Sequence, residues 1–128
     1  MKCLLTSRAD IEFFGRTTEK EDIAPVDYEN LSFTVKKTDF IYRLIKMSKV
    51  FAVNIPRMLF DKESDLCEMN EGAFTDKFKL TGLKRLECSS IDCPCIGKSV
   101  VYECGLLKEK EEGDKVTVSC RVLMKRDT

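Results

Sequence analysis

The sequence contains no histidine and no tryptophan. Without histidine, a Ser-His-Asp or Cys-His nucleophile and every histidine-ligated metal site are excluded. A glycine-rich phosphate loop is also missing, because Gly97-Lys98-Ser99 lacks the upstream glycine that a P-loop requires. These absences predict that the chain is not an enzyme, that it holds no cofactor or metal, and that it has no small-molecule substrate.

The sequence also lacks an excess of charge of either sign and any long apolar run. Lys and Arg together number 22, as do Asp and Glu, so bulk electrostatics favour neither nucleic acid nor an anionic membrane surface. We interpret the charged runs at residues 19–22 and 108–112 as solvated loops. No apolar stretch reaches the ~18 residues of a membrane-spanning helix. We therefore expect no nucleic-acid partner and no direct membrane insertion of this chain.

What the sequence does contain is seven cysteines within 128 residues. This length suits one domain, whose core disulfides would reinforce. The spacings of Cys88, Cys93, Cys95 and Cys104 fit structural zinc poorly, because zinc sites favour pairs separated by two to four residues. A cytosolic zinc-binding module stays open as an alternative, but a disulfide framework fits better and indicates an oxidising compartment. Because residues 1–8 reach Arg8 before an apolar segment develops, we expect no signal peptide here.

Alternation of apolar and polar residues predicts several short strands. The most regular are residues 31–36, 51–55 and 116–122, and residues 100–104 pair with the last of these through a turn at residues 105–113. Residues 9–14 form a less regular strand that Gly15 ends. Cys120 shares a strand face with Val118, so we expect it to be a buried free thiol. The pattern predicts an all-β fold, with an N-terminal segment at residues 1–8 and a single domain at residues 9–126.

Residues 39–49 are compatible with two structures. Phe40, Ile41, Leu44 and Ile45 recur at helical spacing with basic residues opposite them, which is typical of an amphipathic helix that binds a partner or a membrane surface. The segment runs directly into the alternating pattern of residues 51–55, and its length suits one strand and a connection. We interpret it as a strand with a connection, with the helix as the alternative.

The second half of the chain carries a resemblance to a known family. Cys67 is followed by Cys88 and Cys93, then by Tyr102-Glu-Cys104-Gly-Leu-Leu, a charged turn and the alternating residues 116–123. This order resembles the membrane-proximal leg domain, calf-2, of integrin α subunits, and residues 32–35 and 50–56 are similar to two earlier strands of that family. The chain departs from the family between Cys93 and Cys104, where ten residues replace a shorter segment. It also lacks the family's Asn-x-Gly-Pro-Ser motif near residues 45–49.

The resemblance implies a two-sheet antiparallel β-sandwich of the immunoglobulin-like type and a Cys88–Cys93 and a Cys67–Cys104 disulfide. It implies an extracellular structural domain of an adhesion receptor, which supports integrin-mediated signalling through its partner, an integrin β subunit, on the outer side of the plasma membrane. Because a propeller head, a membrane helix and the family's tail motif are missing, the chain would be a fragment. The alternative is a stand-alone secreted, disulfide-bonded binding module.

Two modification sites accompany this interpretation. Asn30-Leu31-Ser32 has the N-x-S pattern of a glycosylation acceptor, which would make the chain a glycoprotein. Lys84 and Arg85 form a dibasic pair just before Cys88, where the resemblance implies proteolytic processing into two disulfide-linked chains.

Overall fold

The computed structural model describes residues 1–128, apart from the side chain of Phe13. Over these residues the backbone forms eight strands and three helices. In chain order they are β1 (Lys2–Phe13), β2 (Arg16–Asp27), β3 (Ser32–Lys36), α1 (Phe40–Ser48), β4 (Val50–Pro56), α2 (Asp61–Met69), α3 (Lys77–Thr81), β5 (Arg85–Glu87), β6 (Pro94–Ile96), β7 (Ser99–Glu112) and β8 (Lys115–Asp127). The fold is mostly β, as the alternating pattern predicts, with helices inserted between strands.

Six strands form one antiparallel sheet in the order β2-β1-β4-β7-β8-β3. Strands β5 and β6 form a separate two-stranded hairpin. The outer strands β2 and β3 contact each other, so the sheet curls into a half-barrel. A curled sheet can enclose a core with its own inward-facing side chains, without a second sheet packed against it.

The main core fills the inside of this curl. Phe33 and Phe51 meet edge to face with their ring centroids 5.3 Å apart, and Leu5, Val53 and Val118 are completely buried beside them. Edge-to-face aromatic packing adds to the free energy gained by burying the rings. This core holds β1, β3, β4 and β8 in a fixed curvature.

Long hairpins give the sheet its length. Strands β1 and β2 pair along twelve residues each, and the turn between them places Phe14 and Gly15 at positive φ angles of 52° and 76°. Two successive positive φ angles match the right-handed twist of paired strands.

Residues 19–22 and 108–112 lie within β2 and β7, so the prediction that these charged runs are loops is wrong. Most of these charged side chains, such as Glu19 and Glu111, face the solvent, whereas Asp22 is buried.

Residues 40–48 form helix α1, and the interpretation of this segment as a strand with a connection is wrong. The spacing of Phe40, Ile41, Leu44 and Ile45 puts these four side chains on one buried face of the helix. Phe40 and Leu44 pack on Ala9 and Ile11 of strand β1. The helix ends at Lys49, which has the left-handed φ of 66°.

The prediction of a two-sheet, immunoglobulin-like sandwich is also wrong. Alternation along a strand shows which face is buried, but it does not distinguish a second sheet from a curled sheet as the covering layer.

Strand β1 starts at Lys2 and crosses the predicted domain boundary at residue 9. The division into domains stays a prediction. None of the three helices in residues 1–128 is long and apolar enough to cross a membrane.

Candidate functional site

A cavity of about 500 Å³ lies between strand β2, the start of helix α1 and the segment from α2 to α3. We call it the β2–α1 cavity. Its apolar lining comes from Ala24, Pro25, Phe40 and Ile41. A second cavity of about 580 Å³ adjoins it, and Thr38 and Phe40 line both. Most of the remaining lining of the β2–α1 cavity is polar or charged. Its volume is in the range of small-molecule sites.

Helix α1 begins at this cavity with donor groups that suit an anion. The backbone N–H groups of Phe40 and Ile41 have no hydrogen-bond acceptor among the described residues, because the first N–H groups of a helix have no partner within it. Lys36 and Thr38 precede this helix end and line the cavity. The positive end of the helix dipole, an ammonium and a hydroxyl together favour a phosphate or a carboxylate.

Asp39 fixes the turn that presents these donors. Its carboxylate accepts a hydrogen bond from the backbone N–H of Lys36 at 2.9 Å. Its carbonyl oxygen accepts hydrogen bonds from the backbone N–H groups of Tyr42 and Arg43. The Asp39 side chain therefore closes the turn between β3 and α1 and does not cap the free helix N–H groups.

A buried ion pair joins the two sides of the β2–α1 cavity. The Nζ atom of Lys77 lies 2.8 Å from Oδ1 of Asp22, and the two side chains are only 5% and 3% exposed. Lys77 also donates to the carbonyl oxygen of Ile23 at 3.0 Å, and the backbone N–H of Ile23 donates to Oδ1 of Asp22 at 2.8 Å. Burial raises the pKa of Asp22, while the neighbouring Lys77 ammonium opposes that rise. The pair ties helix α3 to strand β2.

Helix α3 holds Lys77 in this place. The Asp76 side chain accepts a hydrogen bond from the backbone N–H of Lys79 at 3.2 Å and caps the helix start. Gly82 ends the helix at a left-handed φ of 74°. Phe78 packs against Leu4 behind the sheet. A short helix with both ends fixed presents its first side chain, Lys77, in a defined direction.

Carboxylates outnumber lysines around the cavity. The cavity is lined by two lysines, Lys36 and Lys77, and by four carboxylates, Asp22, Asp39, Glu68 and Glu71. Glu68 and Glu71 are exposed, so water and salt screen their charges. We expect an anionic ligand group to bind at the α1 end, where the helix N–H groups lie, and to be opposed by Glu71.

The cysteines that the resemblance paired lie in different places. Cys67 packs with Leu4 on one face of the sheet, whereas Cys104 packs with Leu5 on the other, because successive residues of a strand face opposite sides. All seven cysteines are free thiols. Cys120 is buried and free, which confirms the expectation for this residue.

Three cysteines converge on one face of the β5–β6 hairpin. Cys95 pairs with Leu86 in the hairpin register, and the N–H of Cys88 donates to the carbonyl oxygen of Cys93 at 2.9 Å. Side chains at alternate positions of paired strands share a face, so the Cys88, Cys93 and Cys95 thiols lie in one cluster. No group of acidic or cysteine side chains among the described residues has the geometry to hold a metal ion.

Alkylation should separate these thiols by exposure. Cys88 is the one cysteine among the seven that is not fully buried, and its pKa is raised by the hydrogen bond with Cys93 and by burial. Because the thiolate is the reactive form, we expect iodoacetamide at neutral pH to modify Cys88 slowly and the other six more slowly still. Mass spectrometry should find seven alkylated cysteines after unfolding without reductant. Fewer than seven would show a disulfide and would contradict the free-thiol arrangement.

The two other predicted modification sites lie on the surface. Asn30 is exposed in the β2–β3 turn with a φ of 49°. Lys84 and Arg85 are exposed at the start of β5, and Arg85 forms ion pairs with Glu21 and Glu87. Glycosylation of Asn30 and cleavage at the dibasic pair stay predictions.

Neither a family model nor a curated protein matches the sequence. Solved structures do match its fold. The nitrilotriacetate monooxygenase component B from Bacillus cereus superposes with a TM-score of 0.81 at 16% identity, over 98% of this chain and 68% of that one. The NADH:FAD oxidoreductase from Streptomyces globisporus gives 0.78 at 13%, over 99% and 74%. The FMN-binding protein from Thermus thermophilus gives 0.77 at 13%, over 98% and 70%.

These likenesses show that the chain has a split-barrel fold. They overturn the resemblance to an integrin leg domain, and with it the adhesion function, the integrin β partner, the membrane assignment and the secreted-module alternative. The glycoprotein assignment loses the support of that resemblance, and only the untested Asn30 sequence pattern remains. The disulfide pairs implied by that resemblance lose their basis. The predictions of no enzyme activity and no small-molecule substrate are wrong as well, because they considered side-chain chemistry alone, whereas a bound cofactor can carry a reaction.

Proposed function

We propose that this chain binds a flavin and serves as a flavin-dependent oxidoreductase. The observation that carries the proposal is the split-barrel fold shared with an NADH:FAD oxidoreductase, an FMN-binding protein and a monooxygenase component. Absence of histidine does not oppose this function, because the flavin itself accepts and donates the electrons. The protein has to bind the flavin, orient it and shield it from water.

The residues of the β2–α1 cavity fit a flavin mononucleotide by their chemistry. Lys36, Thr38 and the free N–H groups at the start of α1 would hold the phosphate. Ala24, Pro25 and the apolar start of α1 would cover the faces of a flat aromatic ring. When bound, the flavin would supply hydride and electron transfer. The chain's own contribution is an apolar surface from Ala24, Pro25 and Phe40, together with Lys36 and the free N–H groups at the start of α1, in a cavity that is otherwise lined by more carboxylates than lysines.

The first test is binding and reduction by the purified full chain. Added FMN should lose fluorescence on binding, and a reduced nicotinamide nucleotide should then bleach the visible absorbance of the bound flavin under anaerobic conditions. Retention of full FMN fluorescence at a high protein concentration would contradict the proposed function. Binding without bleaching would restrict the function to flavin binding.

Replacing Lys36 by alanine should weaken FMN binding by about tenfold, the loss of one charge-assisted hydrogen bond to phosphate. Riboflavin has no phosphate, so its dissociation constant should be unchanged. Fluorescence titration of both ligands measures the two effects. Lys110→Ala is the matched control, since Lys110 is an exposed lysine on β7 whose side chain is paired with Glu112. Equal weakening of FMN and riboflavin by Lys36→Ala would contradict phosphate binding at this helix end.

Replacing Glu71 by glutamine should act in the opposite direction. This carboxylate lines both cavities beside Thr38 and repels a phosphate, so its removal should tighten FMN binding a few-fold at low salt. The gain should shrink in high salt and should be absent for riboflavin.

A further inference from the structure

The Asp22–Lys77 pair has unused hydrogen-bonding capacity. Oδ1 of Asp22 accepts a hydrogen bond from the backbone N–H of Ile23 and pairs with the Lys77 ammonium, while Oδ2 has no hydrogen-bond partner among the described residues. Lys77 has three N–H donors and uses two of them, on Asp22 and on the Ile23 carbonyl. Both side chains line the β2–α1 cavity. The cavity wall thus offers one carboxylate acceptor beside one ammonium donor.

Gly72 packs directly against the Asp22 carboxylate. A Cβ atom on residue 72 would lie 2.3 Å from Oδ1 of Asp22 and 2.4 Å from Oδ2. Only glycine leaves room for the carboxylate against the backbone, because real Cβ contacts of this length do not occur. Gly72 lines the same cavity. The carboxylate therefore packs directly against the Gly72 backbone and is paired with Lys77.

An unpaired acceptor beside an unpaired donor matches the edge of a cyclic imide. The pyrimidine part of a flavin has an N–H group flanked by carbonyl oxygens, so it presents one donor next to acceptors. A buried carboxylate accepts strongly from such an N–H, and a buried ammonium donates strongly to the adjacent carbonyl.

We propose that Asp22 and Lys77 recognise the imide edge of the flavin ring, with Asp22 accepting from the ring N3–H and Lys77 donating to a carbonyl oxygen beside it. This inference rests on the proposed flavin function. It assigns the pair a role in ligand specificity in addition to tying α3 to β2. A site built in this way discriminates strongly against a ligand that lacks the donor, because the carboxylate is then left without a partner.

The test compares riboflavin with 3-methylriboflavin, in which a methyl group replaces the imide proton. The wild-type chain should bind riboflavin about tenfold more tightly than the methylated compound. The double variant Asp22→Leu/Lys77→Met removes the pair as a unit, which buried ion pairs often tolerate, and should bind both compounds equally. Arg57→Met/Asp127→Leu removes an exposed ion pair elsewhere and should keep the wild-type ratio.

The outcomes separate this inference from the proposed function. If the wild type binds no riboflavin, the proposed function fails. If it binds riboflavin and 3-methylriboflavin equally, or if the double variant keeps the wild-type ratio, flavin binding stands and the imide contact is overturned.

A second measurement uses the wild type alone and does not depend on folding of the variant. The imide proton of riboflavin labelled with ¹⁵N at N3 should move downfield in the NMR spectrum on binding and should exchange slowly with water. An unshifted, rapidly exchanging imide proton in the bound state would overturn the proposal.

Discussion

Replacing Glu103 by alanine should lower the free energy of unfolding by about 3 kcal/mol. The Glu103 side chain on β7 is completely buried. Its carboxylate accepts from the backbone N–H of Ser89 at 2.9 Å, from the backbone N–H of Ser90 at 2.6 Å and from the Ser90 hydroxyl at 2.7 Å. Arg126 adds an ion pair at 3.4 Å. One buried carboxylate therefore holds the loop between Cys88 and Cys93, and alanine leaves these donors without an acceptor.

The effect should depend on pH in a defined direction. Burial alone would raise the pKa of Glu103, but the donors from Ser89, Ser90 and Arg126 outweigh burial and hold the pKa below its usual value. A lowered pKa in the folded state means that the carboxylate stabilises the fold above the pKa of an unfolded glutamate, about 4.3. This contribution is lost as the pH falls through the lower, folded-state value.

Urea unfolding of Glu103→Gln over a range of pH measures this contribution. The glutamine variant should be less stable than the wild type at pH 7, and the difference should shrink as the solution is acidified below about pH 4. Glu112→Ala is the control, since Glu112 is an exposed glutamate on the same strand and should have little effect. A difference that does not change between neutral and acidic pH would contradict the assigned role of the charge.

Replacing Asn54 by leucine should also cost about 3 kcal/mol, although leucine is apolar and similar in size. Asn54 is fully buried on β4. Its Nδ2 donates to the carbonyl oxygen of Leu4 at 2.9 Å and to the Thr6 hydroxyl at 3.0 Å, and its Oδ1 accepts from the backbone N–H of Ile96 at 2.9 Å. The amide joins β1, β4 and β6. Leucine would leave buried backbone groups of β1 and β6 without partners.

Thermal unfolding with circular dichroism measures the loss, and hydrogen exchange locates it. We expect the Ile96 N–H to lose protection in Asn54→Leu before the central strands do, because β6 is short and depends on this side chain. Thr34→Val removes an exposed hydroxyl pair at 3.2 Å between Thr34 and Thr117 and should change stability by less than about 0.5 kcal/mol. Unchanged stability of Asn54→Leu would contradict the bridging role.

The sequence predicts the strands better than it predicts their arrangement. Of the regularly alternating segments, residues 51–55 and 116–122 lie within β4 and β8, and residues 31–36 match β3 except for Leu31, which precedes the strand. Alternation depends only on neighbouring residues, so it is readable from the sequence. Whether the buried faces meet a second sheet or the inside of one curled sheet depends on pairings between distant strands, such as β3 with β8. No local pattern contains that information.

The candidate site could be predicted less well. Asp22 stands in an acidic run that resembles a solvated loop, yet it is buried because Lys77, on a helix far along the chain, neutralises it. A buried carboxylate is signalled by its partner, and the partner is brought close only by the fold. One local signal was present: Ile23, Ala24 and Pro25 directly follow Asp22, and an apolar continuation favours a strand over a loop at this position.

The order of the cysteines does not identify the family, for a related reason. Cys88, Cys93 and Cys104 occur in an order that suits a disulfide framework, but free cysteines are also among the most buried residues in proteins. Six of the seven cysteines here are fully buried, where they pack as small apolar side chains. Spacing along the chain does not distinguish the two uses.

The pairing of β3 with β8 has a consequence for how the protein is made. Strand β3 has five residues and pairs in the sheet with β8 alone, and Thr34 and Thr117 face each other across 83 residues of sequence. Until residues 115–119 have left the ribosome, β3 has no partner and the ring of Phe33 has only part of its core. Closing so long a loop is entropically costly and slows folding. We therefore expect the barrel to close after synthesis of β8, which leaves the edges of β3 and β7 exposed to chaperones or to aggregation during translation.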